Sequence, residues 1–210
     1  DVFAATPTTV SQRLLIQRAL ERNWILHTGD VSTAFLHAAL PSSAKIYIVP
    51  PPTERRVGRL WRLRKALYGL REAPRLFQEF LATTLTQHGF TRLVADPQLY
   101  EHNGTGALVS IFADDILICC AAGDLEKVKE AISAEMKVKW GTTINDTPVK
   151  YLGREWVKDG QEYVVRIPDA YWEGTLSTTD MRGCRALSTP AETGSWSKPD
   201  DSPRLDVRGT

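Results

Sequence analysis

Apolar residues recur along the chain at two spacings, and the change from one to the other lays out its elements. Val10, Leu14, Leu15, Ala19 and Leu20 follow Thr8 and Thr9 at helical spacing, which predicts a capped helix packed on a core. Trp24 to Val31 reads as a strand with Asp30 at its end. Lys45 to Val49 is a short strand stopped by Pro50, Pro51 and Pro52. Arg59 to Lys65 alternates basic and apolar positions, as in a strand with one face in water. Leu76, Phe77, Phe80, Leu81 and Leu85 make Pro74 to His88 an amphipathic helix closed by Gly89. The Ala95-Asp96-Pro97 turn feeds a strand ending near Tyr100, and Asn103-Gly104 is a further turn. Leu108 to Cys120 is an apolar run broken once, by Asp114-Asp115, which predicts two buried strands joined by a tight hairpin turn. Leu125, Val128, Ile132 and Met136 predict a helix over Asp124 to Lys139. Asp169 to Ser177 reads as a short helix. Beyond Asp180, Ser, Thr, Pro, Gly and charge dominate, the composition of a linker. Strands and helices in this mixture give an α+β fold.

Composition narrows the picture only a little. A chain of 210 residues can bury one substantial core. Lys plus Arg total 26 against 25 acidic residues, so overall charge alone does not announce a nucleic-acid partner. Cys119, Cys120 and Cys184 show no metal or disulfide spacing and read as reduced thiols of an intracellular protein. The four histidines show no ligand spacing. No apolar run reaches membrane-spanning length, so no membrane partner is expected. The absence of an initiating Met reads as a fragment.

The chemistry lies in the hairpin. Two adjacent carboxylates between buried strands repel one another and are costly to bury unless a cation neutralises them. Oxygen ligands favour Mg²⁺, with Mn²⁺ as a substitute. Asp30, at the end of another strand, is a third candidate carboxylate, although a lone Asp there is more often a cap. The basic face of Arg59 to Lys65 has two open readings, a solvated edge strand or a phosphate-contacting one. Lys139, at the expected helix end, is either solvated or a proton donor.

Three stretches together resemble one family. Phe112-Ala113-Asp114-Asp115 resembles the catalytic hairpin box of reverse transcriptases. Asp30 to Phe35, an Asp-x-x-x-Ala-Phe box, resembles their first catalytic box and precedes the hairpin in the same order. Ala66-Leu67-Tyr68-Gly69-Leu70-Arg71-Glu72-Ala73-Pro74-Arg75 closely resembles a segment of copia-type LTR retrotransposon polymerases, with Glu72 for the usual Gln and Phe112 for the usual Tyr. Tyr151-Leu152-Gly153 resembles the family's primer grip, and Cys184 to Pro190 its junction towards a ribonuclease H domain.

The resemblance implies a right-hand polymerase palm, an antiparallel sheet backed by helices, with partial fingers and the start of a thumb over residues 1–178. Residues 179–210 would be a linker towards an absent ribonuclease H domain. It implies RNA-directed DNA synthesis within a retrotransposon polyprotein, in cytoplasmic particles whose products reach the nucleus. Two Mg²⁺ ions would be held by Asp30, Asp114 and Asp115, with the Val31 carbonyl as a further ligand. Ala34, Phe35, Tyr68 and Gly69 would line the nucleotide pocket, with Phe35 excluding a 2′-hydroxyl. Tyr151, Leu152 and Gly153 would hold the primer end. The implied partners are an RNA or DNA template with primer, dNTPs, and the integrase and ribonuclease H of the same polyprotein. The fingers strands that grip the triphosphate would lie before Asp1. The competing expectation is a decayed or domesticated copy that binds nucleic acid without polymerising.

Overall fold

A computed structural model describes residues 7–184, in two compact units divided after Pro168. The larger unit is built on a six-stranded antiparallel sheet. Its strands are β1 (Ile25–Val31), β4 (Phe90–Arg92), β5 (Leu99–His102), β6 (Leu108–Phe112), β7 (Asp115–Cys120) and β8 (Val138–Thr143), in the order β4-β5-β6-β7-β1-β8. A three-stranded sheet follows, β9 (Val149–Tyr151), β10 (Arg154–Asp159) and β11 (Glu162–Arg166), with β10 central. A small hairpin pairs β2 (Tyr47–Ile48) with β3 (Trp61–Arg62). The helices of this unit are α1 (Thr9–Arg22), α2 (Ala73–Gln87) and α3 (Leu125–Ser133).

The apolar run of the central hairpin is buried on both faces, and its alternation serves two cores. Val109, Ile111, Ile116, Ile118 and Cys120 pack with Leu76, Phe77, Leu81 and Leu85 of α2 and with Val128 and Ile132 of α3. Leu108, Leu117 and Cys119 pack on the opposite side with Leu26, with Leu15 and Ala19 of α1, and with Tyr151 and Trp156 of the small sheet. Burial of this kind yields about 1.5–3 kcal/mol per large apolar side chain, and it anchors the hairpin in both cores. It also pushes the Cys119 and Cys120 thiols up to about 12 and about 11. These two cysteines are buried and free, whereas Cys184 is exposed.

Helix α1 begins as its cap predicts, with the Thr8 side chain accepting from the Ser11 amide at 3.1 Å. The Ala-Asp-Pro turn anchors that helix end. Buried Asp96 accepts from the Thr8 amide at 3.0 Å, from the Ser11 hydroxyl, and from the Gln98 amide at 2.9 Å.

Four expectations change. The helix expected to run to Lys139 stops at Ser133, and Val138–Thr143 is an edge strand. The strands expected at Lys45 to Val49 and Arg59 to Lys65 shrink to two paired residues each. Phe90–Arg92 is an additional strand against β5. The hairpin loop is Ala113-Asp114, and Asp115 is already the first residue of β7, opposite Phe112.

The second unit holds α4 (Asp169–Thr178), whose described residues are all exposed. The linker expectation concerns residues 179–210, of which only those to Cys184 are described, and most of the Cys184 to Pro190 junction lies outside them. Among the described residues no helix is long and apolar enough to cross a membrane.

Candidate active site

Strand β1 lies between β7 and β8, and this placement gathers the acidic residues. Asp30 is the register partner of Asp115 on β7. Directly opposed residues project from the same face, with Cβ atoms about 4.5–5.5 Å apart. Asp114 occupies the adjoining loop, and its carbonyl accepts from the Val31 amide at 2.7 Å. All three carboxylates are half-buried, and Val31 is fully buried. Burial raises the Asp115 pKa, and the charges of Asp114 and then Asp30 raise it further. The charges of Asp114 and Asp30 are thus close enough to oppose the ionisation of Asp115.

The loop geometry explains how Asp114 comes to project there. Ala113 takes a left-handed φ of 51°, while Asp114 does not. A positive φ at the first central residue alone is the sign pattern of a type II′ hairpin turn, which keeps β6 and β7 twisted together. Gly29, beside Asp30, solves a second packing problem. A Cβ on Gly29 would lie 2.8 Å from the Trp140 ring of β8, so only glycine lets that indole cross β1.

The oxygen donors suit Mg²⁺ or Mn²⁺ in kind: three carboxylates and a neighbouring backbone carbonyl. Among the described residues, however, no three His, Cys, Asp or Glu side chains are gathered tightly enough to enclose an ion by themselves. A cation there would need further ligands, which Mg²⁺ commonly takes from substrate phosphates and water.

The expected nucleotide pocket falls into two parts. Ala34 is buried at the start of a one-turn 3₁₀ helix, Ala34–His37, directly after the acidic strand. Phe35 is half-buried, and its ring lies 4.6 Å from that of exposed Tyr68 and 6.0 Å, edge-on, from that of Phe77. The two aromatic candidates therefore form one surface. Gly69 has a φ of +92°, and a Cβ there would meet nothing within 4 Å, so glycine serves the backbone conformation and not a close contact within the chain.

The candidate primer grip is a hairpin. Leu152 and Gly153 form its loop between β9 and β10, both with positive φ, the sign pattern of a type I′ turn. Tyr151 is not exposed. It is buried in the second core with its ring 5.7 Å from that of Trp156. Burial drives its phenol well above the ordinary range, with the Asp115 charge adding to this and the Ser110 hydroxyl opposing it. Tyr151 thus lies beneath the acidic cluster, and the Leu152-Gly153 tip is the accessible part of the segment.

One neighbour of the site is not among the residues singled out from the sequence. Ser110 is fully buried in β6 beside Tyr151. Lys139, expected at a helix end, is instead exposed on β8 as the register partner of Asp30. The alternation Val138, Lys139, Trp140 carries that signal.

A sequence profile described as "Reverse transcriptase (RNA-dependent DNA polymerase)" matches residues 1–193, and the chain belongs to this family. It is 31% identical over 205 residues to a retrovirus-related Pol polyprotein from transposon RE2 of Arabidopsis thaliana, a match covering 92% of this chain and 13% of that protein. It is 32% identical over 123 residues to the corresponding polyprotein from transposon RE1 of the same plant, covering 56% of this chain and 8% of the relative. A putative transposon Ty5-1 protein of Saccharomyces cerevisiae is 29% identical over 116 residues, covering 52% of this chain and 37% of the relative. The two plant relatives are copia-type Pol polyproteins, and the chain corresponds to a small part of their length.

Proposed function

We propose that residues 1–178 form the palm, part of the fingers and the start of the thumb of an RNA-directed DNA polymerase, with the following positions leading towards a ribonuclease H domain. The observation that carries this reading is the pairing of Asp30 with Asp115 across β1 and β7, beside Asp114. The reaction is in-line attack of a primer 3′-hydroxyl on the α-phosphate of a dNTP, with release of pyrophosphate. Asp30, Asp114 and Asp115, with the Val31 carbonyl, would hold two divalent cations. Bound there, the cations would stabilise negative charge on the attacking, phosphoryl and leaving oxygens.

The remaining roles belong to the chain itself. The buried sheet fixes the carboxylates so that little reorganisation accompanies charge development. The Phe35 ring, held against Tyr68 and Phe77, would pack against C2′ of the incoming sugar and exclude a hydroxyl. The Leu152-Gly153 tip would hold the primer end, and buried Tyr151 would position that tip relative to Asp115. Template-primer, dNTPs and the integrase and ribonuclease H of a retroelement polyprotein are the corresponding partners.

Primer extension on an RNA template tests the reading, using the chain joined to upstream fingers strands of the family. DNA synthesis that depends on Mg²⁺ or Mn²⁺ and disappears with Asp114→Asn is expected. A folded domain that binds template-primer and dNTP without extending would replace this reading with that of a non-polymerising copy.

A further inference from the structure

Charge is distributed very unevenly along this chain. From Lys45 to Lys65 there are seven basic residues and one acidic residue, Glu54, a net +6 in a chain of formal net charge +1, so that all other positions together carry −5. The segment is the β2–β3 hairpin with its long connection, and positions 51–62 are exposed throughout. Arg62 is committed to structure: its guanidinium donates to the carbonyls of Ser42 at 2.9 Å and Ala44 at 3.1 Å. Arg56 and Arg59 are different, since neither pairs with a carboxylate among the described residues.

These two arginines line both of a pair of adjoining hollows, each of about 500 Å³. Trp61, Pro50 and Glu54 complete one hollow, and Val49, Val57 and Leu60 complete the other. Both are within the size range of small-ligand sites. Trp61 is 46% exposed, an unusual position for an indole that no core requires. Unpaired guanidinium groups beside an open aromatic face and an apolar hollow form a surface for phosphate and base together.

We propose that the β2–β3 hairpin is a binding platform for single-stranded nucleic acid, with a base stacked on Trp61 and the flanking phosphates on Arg56 and Arg59. A duplex keeps its base faces stacked inside, so only an unpaired strand can offer one to the indole. Glu54 is a lone anion among seven cations and can accept from the exocyclic amine of a base. The platform extends the polymerase reading by giving the template strand a contact away from the acidic cluster, and it rests on that reading for the strand's identity.

The test is binding of a labelled single-stranded RNA oligonucleotide to the 210-residue chain across a salt series. Trp61→Ala is expected to weaken binding about tenfold, and Trp61→Phe to restore most of it. Replacing Arg56 and Arg59 by Gln is expected to lower the slope of log K against log salt by roughly 1.4, the release expected for two phosphate contacts on a single strand. Measuring binding in EDTA, where no nucleotide addition can occur, separates this proposal from the polymerase reading. Binding unmoved by the Trp61 and arginine changes overturns the platform, as does failure to bind the oligonucleotide at low salt. Blunt duplex bound as tightly as single strand, with Trp61→Ala without effect, also overturns it.

Discussion

Asp30 and Asp115 oppose one another across β1 and β7, and the charge of Asp30 helps to raise the Asp115 pKa. Two elements distant in sequence thus converge on one repulsive contact, which the fold maintains because the strands carrying it are anchored by both cores. Asp30→Asn or Asp114→Asn should reduce primer extension by about a thousandfold, the equivalent of about 4 kcal/mol of lost charge stabilisation. The same substitutions should leave the metal-free protein as stable or slightly more stable, because they relieve repulsion. Paired extension assays and thermal melts decide the matter. Near wild-type turnover in either variant would remove the carboxylate assignment.

Asp96 gives a prediction of opposite sign. Burial acts to raise its pKa, but hydrogen bonds from Ser11, Thr8 and Gln98 outweigh this and hold it below its ordinary value. A depressed carboxylate stabilises the fold above its unfolded pKa, and that contribution is lost as pH falls through the folded value. Asp96→Asn should therefore cost about 1.5–3 kcal/mol at neutral pH, the range for hydrogen bonds to a charged acceptor. The difference between wild type and variant should shrink below the ordinary Asp range. Urea melts at neutral and acidic pH measure it, and a pH-independent difference would show that packing, not charge, holds the α1 end.

Much of this architecture was legible in the sequence because local signals agreed with the final fold. The Thr8 cap, the apolar stripe of α2 and the two-sided hairpin all form as patterned. Misreadings arose where one pattern satisfied two elements. Met136 continues the helical spacing of Leu125, Val128 and Ile132 and is buried, yet it lies past the end of α3 in the turn to β8. Its burial comes from the turn, so the stripe runs on after the helix has ended. The alternation of Lys137, Val138, Lys139 and Trp140 was the competing signal, and it places Lys139 opposite Asp30. The convergence of Asp30 and Asp115 had no local signal at all, since strand pairing across 85 positions is a property of topology; family resemblance alone anticipated it. The burial of Tyr151 was equally invisible, because a tyrosine at a strand end reads the same inside or outside.

On the proposed reading, the β9–β10 tip would handle the primer and not the nucleotide. Leu152→Ala removes apolar surface at the loop while leaving the Tyr151–Trp156 ring contact in place. It should raise the template-primer concentration needed for half-maximal extension several-fold, with little change in the Michaelis constant for dNTP. Tyr151→Phe should fold normally, because the buried hydroxyl has no well-formed hydrogen bond to lose. Steady-state extension at varied primer and varied dNTP distinguishes the outcomes. An effect of Leu152→Ala confined to dNTP would place this tip against the nucleotide instead.

On the proposed reading, the Phe35–Tyr68 pair would make the most specific demand on substrate. Phe35 follows the acidic strand by one turn, is half-buried, and is supported from below by Phe77. A ring fixed between two others cannot swing aside cheaply, because neighbouring packing restricts its rotamers. If Asp30 helps to hold the triphosphate, the sugar of the same nucleotide reaches this ring, and a 2′-hydroxyl would overlap it while deoxyribose would not. Specificity built on a clash is lost when the clashing atoms are removed. Phe35→Val should raise incorporation of ribonucleotides relative to deoxynucleotides by about tenfold or more, in line with the 1–3 kcal/mol that small steric differences contribute in a pocket. It should also lower stability, by less than the roughly 3–5 kcal/mol seen for fully buried rings, since Phe35 is only partly buried. Tyr68→Ala offers the control. Removing its exposed ring takes away one support of Phe35 while leaving the steric block, so it should loosen discrimination less than Phe35→Val. Relative incorporation efficiencies measured on one folded preparation separate selectivity from stability. A Phe35→Val protein that still extends with dNTPs and rejects ribonucleotides as strongly as wild type would assign this ring to the core alone.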